Sequence, residues 1–211
     1  KNLVDTALNQ SKAAILKMHI TLDFDEYMVK SHSLYNDLKS KLFTKSEWTD
    51  LFHKTKKSGK ELMLLYNDTK AIEFGTTFDP QLVEIHSVCL NDVYLLDALK
   101  NNISPNTKVV FGIGGSTLDE IDFAIDRIQH KNIVLMYGFQ NYPTKYENIN
   151  FLKFEKIIKK YPDFEFGYAD HCAWNEPNNA LITLLGALKK GVQYVEKHIT
   201  TVFGEERTDW Q

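Results

Sequence analysis

Helix-forming and strand-forming patterns alternate seven times along this 211-residue chain, and no other feature limits its fold so strongly. When each return to a sheet passes through a helix, neighbouring strands run parallel. The first pattern is a helix from Asn2 to about Gln10, with Leu3, Val4, Ala7 and Leu8 on one face. The run Ala13–Ile20 reads as a buried strand interrupted by Lys17 and His19. Residues 22–44 are polar and lack a clear period, which is long for a connection and points to a functional or mobile segment. Thr44 and Glu47 have capping-box spacing and start a helix that runs to about Ser58, where Gly59 stops it.

From there the rhythm is regular. Strands are expected at Leu62–Tyr66, Leu82–His86, Val109–Ile113, Ile133–Tyr137, Phe164–Tyr168 and Val192–Lys197. The helices between them run over Asp68–Phe74, Asp92–Lys100, Thr117–Gln129, Ile149–Lys160 and Pro177–Lys190, the last two bounded by Pro162 and Gly191. Two architectures satisfy this order, a doubly wound sheet and a (β/α)8 barrel. The size favours a single-domain TIM barrel over residues 1–211 that lacks the first strand and the last helix. Lys1 in place of Met points to a start that has been cut away.

Composition excludes several function classes. A net charge of −3 with scattered Lys and Arg offers no surface for nucleic acid or an anionic membrane. No apolar run approaches the roughly 20 residues that span a bilayer. Cys89 and Cys172 are too few for a disulfide framework or a cysteine-based zinc site, and free thiols in the cytoplasm are the expectation.

In a parallel barrel the chemistry lies at the carboxyl ends of the strands. Polar residues expected there are Lys17 and His19, Asn67 and Asp68, His86 and Ser87, Gln140 and Tyr142, Asp170 and His171, and Glu196 and His198. Lys17 inside an apolar strand requires an anionic neighbour, which is either a bound carboxylate or phosphate or a buried partner among Glu84, Asp170 and Glu196. His171 and His198 end consecutive strands and could share one divalent metal or serve as structural or general-base histidines. Asp170 and Glu196 stand beside them as groups able to fix their tautomers. The turn Gly112-Ile113-Gly114-Gly115-Ser116-Thr117 lacks the third glycine of a dinucleotide fingerprint and reads as an oxyanion-holding helix start or a tight βα turn.

Lys17, Tyr142-Pro143-Thr144, Tyr168-Ala169-Asp170-His171 and Glu196-Lys197-His198, in this order and spacing, resemble the catalytic barrel of the N-acetylneuraminate (sialic acid) synthase family. The likeness runs from about Asn2 to the end. It implies a transferase that condenses phosphoenolpyruvate with an N-acylhexosamine aldehyde to a nonulosonic acid for surface glycans. The implied cofactor is manganese, with magnesium as the alternative, held by His171 and His198. The implied catalytic set is Lys17, Asp170, His171 and His198, and Lys17, Ser87, Gln140, Tyr142 and Glu196 bind substrate. A cytoplasmic homodimer acting on small molecules, without nucleic acid or membrane, completes the expectation.

Several positions depart from the family pattern. Ala169 replaces a serine, Gly112-Ile113-Gly114 replaces Ser-Thr-Gly, Glu84 stands for a lysine, and Asp209-Trp210 replaces Asp-His. These changes keep two other functions in view, a metal-dependent aldolase or lyase with a different donor and a non-catalytic sugar-binding barrel.

Overall fold

The computed structural model describes residues 2–201 apart from 140, 142 and 174. Its strands are β1 (Ile15–Ile20), β2 (Glu61–Tyr66), β3 (Leu82–Ile85), β4 (Lys108–Gly112), β5 (Ile133–Tyr137), β6 (Glu165–Ala169) and β7 (Tyr194–Glu196). They form one seven-stranded sheet in sequence order, and each neighbouring pair is parallel. The helices are α1 (Asn2–Gln10), α2 (Phe24–Tyr27), α3 (Tyr35–Lys39), α4 (Lys45–Lys57), α5 (Thr69–Gly75), α6 (Val93–Asn102), α7 (Leu118–Ile128), α8 (Phe151–Lys160) and α9 (Pro177–Lys189).

The sheet curls. Laid flat, seven strands would separate β1 from β7 by roughly 29 Å at the usual interstrand spacing. Instead Lys17 Nζ of β1 lies 2.8 Å from both carboxylate oxygens of Glu196 of β7. The strand sequences read as nearly continuous apolar runs because both faces of the curled sheet are buried. Leu62, Leu64, Val83, Val109, Phe111, Leu135 and Phe166 point outward into the main core beneath the helices. Met63, Leu82, Val110, Val134, Met136 and Ala169 fill the inside. At the amino ends, Lys108 Nζ meets Glu165 at 2.5 Å and Tyr194 Oη at 2.6 Å, which ties β4, β6 and β7 together across the base.

Local chemistry sets the boundaries. Thr44 with Glu47, and Thr117 with Glu120, both form complete capping boxes. Gly59 ends the α4 turn at φ +79°, where a side chain would be strained. The polar stretch expected to be irregular contains α2 and α3, of four and five residues, too short for a helical period to show. Asp23 caps α2, and buried Asp68 accepts from the N–H groups of Leu22 and Ala71, pinning the stretch to the start of α5. The last strand is shorter than its apolar run suggests, pairing over Tyr194–Glu196 alone. His86 and Ile113 lie just past their strands, at the rim.

Candidate active site

The carboxyl ends of β1, β3, β6 and β7 bring the chemistry together. Lys17, His19, Glu84, His86, Ser87, Ala169, His171, Glu196 and His198 all line one small cavity there, of about 20 Å³. Strand register explains the meeting of distant residues, since Glu84 lies opposite Leu65 and Val110 while Ala169 lies opposite Glu196.

Lys17 sits between two carboxylates. Its Nζ lies 2.8 Å from Glu196 and 2.7 Å from Glu84 Oε2, the second contact short but poorly aligned as a hydrogen bond. Side-chain exposure is 15% for Lys17, 4% for Glu84 and 16% for Glu196, so solvent screens the trio weakly. Burial alone would lower the proton affinity of Lys17, but the two carboxylates outweigh it and raise the ammonium above its ordinary range. Burial pushes the Glu84 carboxyl up to about 7 against the pull of Lys17, with Glu196 adding to the rise. Burial acts the same way on Glu196, yet Lys17 wins there and holds it below the usual carboxylate range. Of the two origins open for Lys17's counter-charge, the buried partner is present in the chain itself.

The histidines occupy the other side. Rings of His171 and His198 lie 5.4 Å apart and nearly perpendicular, at 81°. Ligand atoms of His171, Glu196 and His198 fall within 4.8 Å of one another, a donor set of two imidazoles and one carboxylate. The backbone carbonyl of Phe139 meets His171 Nδ1, and because a carbonyl can only accept, Nδ1 carries the proton. That leaves Nε2 as the nitrogen able to ligate a cation. Burial lowers the His171 pKa, favouring the neutral ring that a metal requires. Phe139 is itself held by Tyr137, whose ring stacks on Phe154 of α8 at 4.5 Å and whose hydroxyl donates to the Asn150 carbonyl. His19 and His86 face each other at 6.3 Å across the opposite wall.

Asp170 points elsewhere. Its buried carboxylate pairs with Lys197, accepts from the Cys172 N–H and reaches the Thr183 hydroxyl of α9. It fastens the chain after β6 to the last helix, and Phe139 rather than Asp170 holds the His171 tautomer. Ser87 Oγ is buried in the cavity wall without a hydrogen-bond partner among the described residues. Gln140 and Tyr142, both expected to contact substrate, lie outside the described residues, as do Trp174 and Trp210. Thr144, from the same loop, donates its N–H to the His171 carbonyl at 2.8 Å.

The glycine-rich turn after β4 is a packing device. A Cβ on Gly114 would lie 1.7 Å from the Gly138 carbonyl oxygen, and one on Gly138 would lie 2.7 Å from Ala169 Cβ. The ends of β4, β5 and β6 therefore touch backbone to backbone. Lys153 of α8 donates to the Gly114 and Ser116 carbonyls and braces the turn from outside.

Comparison with known proteins gives this arrangement a context. A family model described as the NeuB family matches residues 9–210. The chain belongs to the NeuB family. Among solved structures, the N-acetylneuraminic acid (sialic acid) synthetase of Leptospira borgpetersenii, in complex with citrate, superposes with a TM-score of 0.81. It is 22% identical, over 95% of this chain and 67% of that one. A putative spore coat polysaccharide biosynthesis protein E from Chromobacterium violaceum gives a TM-score of 0.82 at 14% identity, over 99% of this chain and 64% of its own. An uncharacterised protein of Methanocaldococcus jannaschii is 24% identical over 179 residues, which is 83% of this chain and 50% of the relative. This NeuB-family chain thus spans half the length of the curated relative it matches. The solved structures support the barrel-like α/β fold. No helix among the described residues is long and apolar enough to cross a membrane.

Proposed function

We propose that this NeuB-family chain is the barrel of a metal-dependent enzyme of carbohydrate biosynthesis that forms a carbon–carbon bond at the carbonyl of an N-acylated sugar aldehyde. The observation that carries the reading is the meeting of His171, Glu196 and His198 within 4.8 Å at the carboxyl ends of β6 and β7. Two imidazoles and a carboxylate suit manganese or magnesium. A divalent metal bound there supplies Lewis-acid polarisation of the aldehyde oxygen. The chain's own residues do the rest. Phe139 holds the His171 ring, Lys17 holds Glu196 through both of its oxygens, and Ser87 offers a buried hydroxyl to a substrate oxygen.

The donor distinguishes two readings. Family likeness favours phosphoenolpyruvate, whose enol carbon would bond the aldehyde carbon while water takes the place of phosphate, giving a nonulosonic acid and inorganic phosphate. Lys17, already paired with Glu84 and Glu196, favours the second reading, an aldolase-type reaction with a donor that needs no cation there. In both readings the substrates are small molecules, the setting is the cytoplasm and the working unit is a homodimer.

Closure of the barrel belongs to the same proposal. A cavity of about 520 Å³ opens between β7 and β1, lined by Ile15, Leu16, Tyr194 and Val195 with Ala7 of α1. An eighth parallel strand in this seam would complete the barrel. Leu181, Ile182, Leu185 and Leu188 of α9 are each at least half exposed, a face that a further helix would cover.

The test is turnover. The 211-residue chain with manganese is offered a panel of N-acylhexosamines and, as donor, phosphoenolpyruvate, pyruvate or dihydroxyacetone. Mass spectrometry should find a condensation product that chelation and His171→Ala both abolish. Phosphate release identifies the first donor, and product without phosphate release identifies the second reading. No product with any pair would sink the proposal.

A further inference from the structure

We propose that Asp170 and Lys197 form a positioning pair, an ionic staple behind the histidines that sets the spacing of His171 and His198 for a divalent cation. The inference rests on the metal site proposed above and concerns two residues outside the cavity that would hold the ion. His171, Glu196 and His198 line that cavity, whereas Asp170 and Lys197, interleaved with them in sequence, do not. In extended backbone, successive side chains leave on opposite faces, so turning the three candidate ligands inward turns Asp170 and Lys197 away. There the two meet each other. The Asp170 side chain is fully buried and that of Lys197 is 44% exposed, so the lysine closes over the carboxylate from the solvent side.

Position in the sheet gives this contact its leverage. β7 pairs with β6 over Tyr194–Glu196, and just beyond β6 the Asp170 N–H donates to the Glu196 carbonyl at 3.1 Å. One residue further along, Lys197 reaches back to the Asp170 side chain. The backbone rung and the ion pair join the same two segments, each within one residue of a candidate ligand. Asp170 is itself anchored, since its Oδ1 accepts from the Cys172 N–H at 3.3 Å and from the Thr183 hydroxyl of α9 at 3.4 Å. Both histidine-bearing segments are thereby referred to one helix. The two rings stand 5.4 Å apart, and binding constellations of this kind hold their geometry to within about 0.5 Å. Slack between the segments would therefore cost cation affinity even where the fold survives.

Manganese calorimetry on the full chain reads the effect, with cobalt(II) absorption reporting coordination geometry and circular dichroism confirming the fold. Asp170→Asn and Lys197→Met should each weaken manganese binding about 10- to 100-fold and alter the cobalt spectrum. The sign for Lys197→Met is decisive, because deleting a positive charge would by electrostatics alone favour a cation. The double variant should lose little more than either single one, since both remove the same contact. Lys197→Arg, which keeps the pair, should restore wild-type affinity. Thr44→Ala, which breaks the capping box of α4, is a destabilised control whose affinity should not change. Lys197→Met carries the test if Asp170→Asn fails to fold. Folded variants that bind manganese as wild type does or tighter, with the same cobalt spectrum, overturn the inference, as does an equal loss in Thr44→Ala. If wild type binds neither ion, the metal reading falls, and the nuclear Overhauser contact between the His171 and His198 rings in metal-free protein decides the staple. A contact that weakens in Lys197→Met supports it, and one absent from wild type or unchanged in the variant overturns it.

Discussion

Replacing Lys17 with methionine isolates the energetics of the mouth. Methionine keeps most of the stem and its packing but removes the charge shared by Glu84 and Glu196. Both carboxylates stay desolvated, at 4% and 16% side-chain exposure, and now repel each other without a cation between them. Breaking a buried ion pair by deleting one partner costs about 3–5 kcal/mol, and two stranded carboxylates place Lys17→Met at the upper end of that range at pH 8. The loss should depend on pH in a defined direction. Glu84 titrates at about 7 in the folded chain against an ordinary value of 4.5, so folding takes up a proton between those limits. Its contribution to stability is therefore full below 4.5 and lost as pH rises through 7. Without Lys17 the folded value moves higher still, and stability should recover by about 1.4 kcal/mol for each unit of acidification across the window. Urea unfolding followed by circular dichroism at pH 8 and pH 5.5 measures this. Lys17→Met/Glu84→Gln should regain most of the loss at pH 8, since only one buried carboxylate remains. A single variant within about 1 kcal/mol of wild type at pH 8, or an equal loss at both pH values, would refute the reasoning.

Two further outcomes follow from geometry already described. Gly114→Ala would drive a Cβ to 1.7 Å from the Gly138 carbonyl, so thermal unfolding should show a loss at or above the upper end of about 1–3 kcal/mol, and an unchanged midpoint would contradict the close approach. His171→Ala and His198→Ala should each weaken manganese binding at least about 100-fold by calorimetry. Because burial lowers the His171 pKa, protonation of that ring should compete with the metal only at more acid pH than for an ordinary imidazole.

Much of the fold is legible in the sequence because its signals are local. Thr44 with Glu47 and Thr117 with Glu120 announce their helices, Gly59 announces a stop, and strands buried on both faces read as apolar runs. All seven expected strands are present, displaced by one or two residues at most ends. The short helices α2 and α3 escape a periodicity argument because neither completes two turns. The curl escapes it too, since it depends on contacts between β1 and β7, 179 residues apart at Lys17 and Glu196.

The site is legible as residue types and obscure as pairings. His171 and His198 stand out because imidazoles end two apolar strands. Glu84 is foreseeable only as one of three partners for Lys17, and burial singles it out along with Glu196. Phe139 leaves no trace in the sequence, since its contribution to His171 is a backbone carbonyl that any residue would supply. Asp170, adjacent to a histidine in sequence, turns away from it because Lys197, Cys172 and Thr183 satisfy its carboxylate.

The glycine contacts at the rim also divide the mouth into two classes of position for anyone redesigning it. Gly114 abuts Gly138, and Gly138 abuts Ala169, so substitutions there propagate through three adjacent strands. Libraries that randomise those positions would mostly return unfolded protein. Diversity is better placed at Ser87, whose unpartnered hydroxyl meets the cavity just past β3, than at Lys17 and Glu84, which hold each other across the mouth. One wall of the mouth is thus a fixed frame, and the facing wall is where a new substrate preference can be written.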